Sequence, residues 1–229
     1  MAAASDAPVD VLIIGAGASG AAVAWSLADT RMHIVCLEQG GWTNPTDYPT
    51  NHQDWQQQQA GTWSIDPNVR GRDTDYPINN DASPISVVNF NGVGGGTVLY
   101  AAHFPRLSPS DFRVKTLDGV ADDWPISYDT LEPYFQTNDR VMGVSGLAGD
   151  PMYPPKQPPL PPIPLGLVGE TVARGFNKLG WHWWPSDSAI ISQPYDGRDQ
   201  CKNLGPCTSG CSQGGKSSTD ITYWPNAIR

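Results

Sequence analysis

The segment Val9-Asp-Val-Leu-Ile-Ile-Gly15-Ala-Gly17-Ala-Ser-Gly20, with Cys36-Leu-Glu38-Gln39-Gly40 following it, constrains the fold more than any other part of this chain. Val9 to Ile14 is a short apolar run of the kind that forms a strand buried on both faces. Gly15 permits a sharp turn, Gly17 lets backbone approach a ligand, and Gly20 lets the next helix pack close to the strand. Ala18 to Asp29 is rich in small residues and predicts that helix; His33 to Leu37 predicts a second strand. The helix N-terminus offers free N–H groups and the positive end of a dipole, which suits an anion. Glu38 falls 18 residues after Gly20, where a carboxylate would meet ribose hydroxyls. Strand, glycine turn, helix, strand and acidic cap in that order predict a βαβ unit holding the ADP half of a dinucleotide. The negative Glu38 argues against a 2′-phosphate, hence against NADP, but the motif leaves NAD and FAD open.

The 229 residues carry 39% hydrophobic and 16% charged side chains, a globular composition with enough apolar material for a sizeable core. A net charge of -9 argues against nucleic acid or an anionic membrane as partner. No run approaches the ~20 apolar residues that span a bilayer. Met1-Ala-Ala-Ala-Ser-Asp-Ala lacks the basic and apolar regions of a signal peptide, and the four cysteines do not form a disulfide framework, so a cytoplasmic location is expected.

Trp42 to Asp81 turns polar and turn-rich, and reads as a long structureless loop. It is either a lid with Trp55 and Trp63 on its inner face or a surface insertion pinned by those two anchors. A second glycine cluster, Asn91-Gly92-Val93-Gly94-Gly95-Gly96-Thr97-Val98-Leu99-Tyr100-Ala101-Ala102-His103, allows backbone to approach a flat or anionic ligand, or makes a tight loop. Ser108 and Ser127 read as helix starts, the latter with an apolar stripe at Leu131, Tyr134 and Phe135. Eight prolines within Pro151–Pro164 predict an extended, largely polyproline II segment, either a stiff connector packed on its own domain or a ligand for a proline-reading module. Leu167 to Leu179 has helical spacing. Trp181-His-Trp-Trp184 predicts a strand whose rings form core or face a sugar. Cys201, Cys207 and Cys211 offer three thiolates for an iron–sulfur cluster or are simply half-buried thiols; zinc would want a fourth ligand.

Once the second glycine cluster is set beside the first, the chain resembles the N-terminal half of a glucose–methanol–choline (GMC) family FAD oxidoreductase. The resemblance runs along essentially the whole chain. Its markers are Gly15-Ala-Gly-Ala-Ser-Gly20, Leu37-Glu38-Gln39-Gly40, Gly94-Gly95-Gly96-Thr97 with Arg106, Asp123-Trp124-Pro125, and Gly210-Cys211 with Lys216-Ser217-Ser218. Within the family it is most similar to bacterial pyranose oxidases and glycoside 3-oxidases. Tyr195-Asp-Gly-Arg198 and the cysteines also resemble flavoprotein subunits of sugar dehydrogenases.

The resemblance implies an α/β, Rossmann-like FAD-binding domain of the GMC and p-hydroxybenzoate hydroxylase type, with part of an α+β substrate-binding domain. It divides the chain into a βαβ unit (1–41), a lid or insertion (42–85), an FAD loop with helices (86–150), part of the substrate domain (151–199) and a return to the FAD domain (200–229). Gly15, Gly17, Ala18, Ser19 and Gly20 would face the pyrophosphate, and Glu38 with Gln39 the adenosine ribose. Gly92, Gly94, Gly95, Gly96, Thr97, Tyr100, Ala101, Ala102 and His103 would line the path to the flavin. Members with covalent FAD carry histidine where this chain has Leu99, so non-covalent flavin is expected. Many members have asparagine at Tyr100. The implied reaction is oxidation of a secondary hydroxyl of a sugar or glycoside to a ketone by hydride transfer to flavin, with oxygen or a quinone as acceptor. The alternatives are a dehydrogenase subunit passing electrons through an iron–sulfur cluster to a cytochrome or quinone, and an inactive FAD-binding fragment. No metal ligand and no catalytic residue is assigned within this chain. The family's histidine pair or histidine–asparagine pair is expected beyond Arg229, in a C-terminal half that is a cleaved or separate chain, or is missing by truncation.

Overall fold

The computed structural model describes residues 8–229. In chain order they form β1 (Val11–Ile14), α1 (Ala18–Leu27), β2 (Ile34–Leu37), α2 (Trp55–Ala60), α3 (Pro67–Arg70), α4 (Val114–Asp118), α5 (Tyr128–Met142), α6 (Gly166–Leu179) and α7 (Tyr223–Ala227), joined by several short 3-10 turns. They gather into two compact units. One comprises the chain up to Ala101 together with Lys202–Arg229; the other is Ala102–Cys201. No described helix is long and apolar enough to cross a membrane.

The first unit is built on the βαβ element. β1 and β2 pair in parallel, Val11 with Ile34 through Ile14 with Leu37. Parallel neighbours need a crossover, and α1 supplies it. Ala21 and Ala24 are its buried residues, small enough for close packing. α7 packs on α1, with the Trp25 and Tyr223 rings edge to face at 5.6 Å. This is an α/β arrangement with a small parallel sheet, consistent with a Rossmann-like domain.

Three local expectations need correction here. β1 is not buried on both faces: Ile13 is buried, but Leu12 and Ile14 are 55% and 81% exposed. The strand alternates because, among the described residues, α1 covers one face of the sheet and nothing covers the other. Second, 42–81 is not structureless. It contains α2 and α3, and Asp66 caps α3 by accepting from the Asn68 N–H. Arg70 ties the segment down, with two bonds to Asp75 and others to the Ser64 and Asn89 carbonyls. Trp63 belongs to a buried cluster with Tyr48, Phe90, Val98 and Leu99. Third, Trp181–Trp184 forms no strand. Its backbone finds no neighbouring strand among the described residues, and the segment is held through its rings instead, Trp183 donating to Asn177 and Trp184 to the Leu147 carbonyl.

In the second unit, Ser127 caps α5 and Ser108 opens a 3-10 turn with a capping box. The buried polar face of α5 matters more than its apolar stripe: Tyr128, Glu132, Gln136 and Asp139, at helical spacing, all meet Arg106. Tyr134 lies off that face, 70% exposed.

Candidate functional site

The glycine turn after β1 is held from three sides. Gly15 has φ +97° and its N–H bonds the Leu37 carbonyl, extending the sheet by one pair. The Ala16 N–H donates to Glu38 Oε2 at 2.6 Å. The Ala16 carbonyl accepts from the Gly94 N–H at 2.9 Å and from Trp224 Nε1 at 2.8 Å. A Cβ on Gly20 would strike the Gly15 carbonyl, so the helix can follow the turn this closely only with glycine there. Gly17 is the N-cap of α1 with no side chain capping it, and Ala18 and Ser19 in the first turn are exposed. The first N–H groups of α1 therefore lack a side-chain acceptor.

The second glycine cluster lies directly on the first. Gly94 and Gly95 both have positive φ, and a Cβ on Gly95 would sit 2.8 Å from the Gly17 Cα. The turn Gly95–Val98 is a 3-10 helix. Thr97 Oγ1 donates to the Gly94 carbonyl at 2.6 Å and meets Thr219 Oγ1 at 3.3 Å. Gly92 is buried and Gly96 exposed. Tyr100 donates to the Ser217 carbonyl at 2.5 Å. Leu99 is 2% exposed inside the aromatic cluster.

Glu38 also accepts from the Gly40 N–H at 3.0 Å. Two bonds leave about half of a carboxylate's roughly four acceptor sites for other donors. Gln39 turns away to the Thr74 carbonyl. The structure thus brings Gly15 to Gly20, Glu38 and Gly94 to Thr97 together, and takes Gln39 elsewhere. Ala101 is exposed at the end of the first unit's segment. Ala102 and His103 belong to the second unit, where Ala102 has φ +63° and His103 bridges to Ser188.

The donor set suits a dinucleotide's pyrophosphate and ribose: an uncapped helix start, two touching glycine backbones that leave no room for a Cβ at Gly95, and a carboxylate with spare acceptors at the strand end. Among the described residues no three His, Cys, Asp or Glu side chains are placed to hold a metal ion. The four cysteines form no disulfide among the described residues, and each is half-buried.

Sequence reasoning missed what lies beneath this junction. Lys216 is 1% exposed and donates to the carbonyls of Val98, Tyr100 and Cys207. Burial lowers its pKa to about 8. The Asp220 carboxyl, raised by burial, accepts from the Tyr48 hydroxyl. The Lys216-Ser217-Ser218 motif signalled the position but not its use. Trp224 carried no signal at all.

No family model matches the chain. Among curated proteins it is 43% identical over 223 residues to the 2-methyl-1,2-propanediol dehydrogenase of Mycolicibacterium austroafricanum, covering 96% of this chain and 40% of that protein. It is 32% identical over 227 residues to the fructose dehydrogenase large subunit of Gluconobacter japonicus, covering 90% and 41%. It is 28% identical over 222 residues to the paromamine 6'-oxidase of Streptomyces fradiae, covering 93% and 37%. The chain spans about two fifths of the length of these curated relatives. It is also 26% identical over 227 residues to a GMC-type oxidoreductase of Sinorhizobium fredii, covering 96% and 36%, and together these similarities support homology to GMC-type oxidoreductases.

Proposed function

We propose that this chain is the FAD-holding part of an enzyme that oxidises a CH–OH group of a polyol, sugar or glycoside, with a ring secondary hydroxyl going to a ketone as the favoured case. The observation that carries the reading is the contact of the two glycine backbones, Gly17 against Gly95, at the uncapped start of α1 with Glu38 alongside. The relatives named above, two dehydrogenases and an oxidase, support oxidation of such a group.

In this reading the first-turn N–H groups of α1 bind the pyrophosphate, reinforced by the helix dipole. Glu38 keeps its bond to Ala16 and offers its remaining lone pairs to the ribose hydroxyls. Gly94 to Thr97 covers the dinucleotide from the second side, and Tyr100 and Ala101 lead toward the ring. Bound FAD would supply the hydride acceptor. Leu99 is committed to the core, which favours a flavin held without a covalent tether. The base that takes the alcohol proton is assigned to no residue of this chain. A C-terminal partner segment and oxygen or a quinone as final acceptor complete the proposal.

Titration of the full-length protein with FAD, followed by flavin fluorescence, tests it. Saturable binding is expected. Gly95→Val should weaken binding about 10- to 100-fold, since a branched side chain cannot fit against Gly17. Adding sugars and polyols should then bleach the oxidised flavin. Absence of binding, or a Gly95→Val variant that binds as tightly as wild type, overturns the reading.

A further inference from the structure

A lysine buried to 1% exposure is rare, because removing an ammonium from water is costly unless it is paired. Among the described residues no carboxylate comes within ion-pair distance of Lys216. Its Nζ instead donates to three main-chain carbonyls: Val98 at 2.6 Å, Cys207 at 2.7 Å and Tyr100 at 3.1 Å. Three N–H groups meet three acceptors, and the charge lies 5.2 Å from the centre of the Tyr100 ring. Two of the three carbonyls belong to the second glycine segment, more than a hundred residues upstream. An apolar residue here would leave them buried without a donor from this side.

The residues after Lys216 hold the same segment at further points. The Ser217 carbonyl accepts from Tyr100 Oη, the Thr219 N–H donates to Thr97 Oγ1, and Thr219 Oγ1 reaches the Gly94 carbonyl. Every one of these bonds ends on the stretch from Gly94 to Tyr100.

We propose that Lys216 is a positioning residue for the cofactor loop: its ammonium draws the Val98 and Tyr100 carbonyls inward and so fixes Gly94–Ala101 in the shape that meets the dinucleotide. The cofactor half of this statement rests on the FAD reading above; the fixing of the loop does not. The titratable groups facing Lys216 are the Cys207 and Cys211 thiols, the Asp220 carboxyl and the Tyr100 phenol. A neutral amine has only two N–H groups for three carbonyls, so the clasp loosens as the proton leaves near pH 8.

The test compares wild type, Lys216→Met and Lys216→Arg in the full-length protein. Amide hydrogen exchange of Gly94–Ala101 is read without flavin, and the FAD dissociation constant is read from neutral pH upward. Lys216→Met should exchange about tenfold faster in this segment and bind FAD about tenfold more weakly, the weight of one or two hydrogen bonds, with helix content unchanged. Lys216→Arg keeps the charge and should recover part of both. Wild type should bind FAD more weakly as pH rises through about 8, and Lys216→Met should lack that dependence. Exchange and affinity unchanged in Lys216→Met overturn the proposal. Should that variant fail to fold, a wild-type affinity flat across the same pH range overturns it. If wild type takes no FAD, the FAD reading falls, and the exchange comparison alone decides the clasp.

Discussion

Arg106 and Lys216, one in each unit, are 5% and 1% exposed, and they neutralise their charge by opposite means. Arg106 sits against carboxylates: Asp139 at 2.7 Å, buried with it, and Glu132 at 3.3 Å, with Gln136 and Tyr128 completing the set. Burial works against its charge, but the bonds it donates to Tyr128 and Asp139 outweigh that and hold it firmly protonated. Burial also pushes the Asp139 carboxyl up, although Arg106 draws it down. Lys216 is bonded to carbonyl dipoles and has no ion-pair partner among the described residues, and burial outweighs the pull of Cys207, Cys211 and Asp220, lowering it to about 8. The difference teaches that the Arg106 cluster is a permanent brace tying a short loop to α5. The Lys216 cluster is a brace whose strength depends on one proton.

The strongest attempt to break this contrast is Arg106→Met. It strands a buried carboxylate, and should lower the unfolding free energy by about 3–5 kcal/mol in urea denaturation. A loss below about 1 kcal/mol would mean that the cluster is no brace. Next comes the pH dependence. Below about 8 folded and unfolded chains both hold the lysine proton. Between there and the ordinary value of 10.5 the unfolded chain binds it while the folded chain has released it, so stability rises with pH across that window. The rise is at most about 3 kcal/mol, and it should vanish in Lys216→Met while surviving in Arg106→Met. Stability and FAD affinity should thus move in opposite directions as pH increases. The smallest effect is expected for Glu132→Gln. Its side chain is 39% exposed, so its removal should cost under about 1 kcal/mol, and a larger loss would show that Glu132 shares the load with Asp139.

What could be read from the sequence follows the range of the forces involved. β1, the glycine turn, α1 and β2 were legible because their determinants lie within thirty residues: alternating strand and helix propensity and glycines at fixed offsets. α5 and α6 were legible from a serine cap and from apolar spacing. α2 and α3 were not, because their sequences are polar and they are held by Arg70 and Trp63 rather than by an apolar stripe. The exposure of Leu12 and Ile14 was unreadable for a related reason, since an apolar strand does not state which of its faces is covered. At the site, both glycine segments were picked out, but their mutual contact was not. Gly94 and Gly95 meet Ala16 and Gly17 across nearly eighty residues, and the flanking bonds from Trp224 and the Lys216–Thr219 stretch reach more than a hundred residues back.

The Ala16 carbonyl bonds Trp224, 208 positions later. That single bond sets a timetable for a chain made from one end. Residues 102–201 are contiguous and can begin to fold as soon as they leave the ribosome, whereas the glycine turn must wait for Trp224 before that anchor exists. At ordinary elongation speeds the delay after Ala101 is on the order of ten seconds. Throughout that interval the strand Val11–Ile14 has only its local partners, β2 and α1, to hold it.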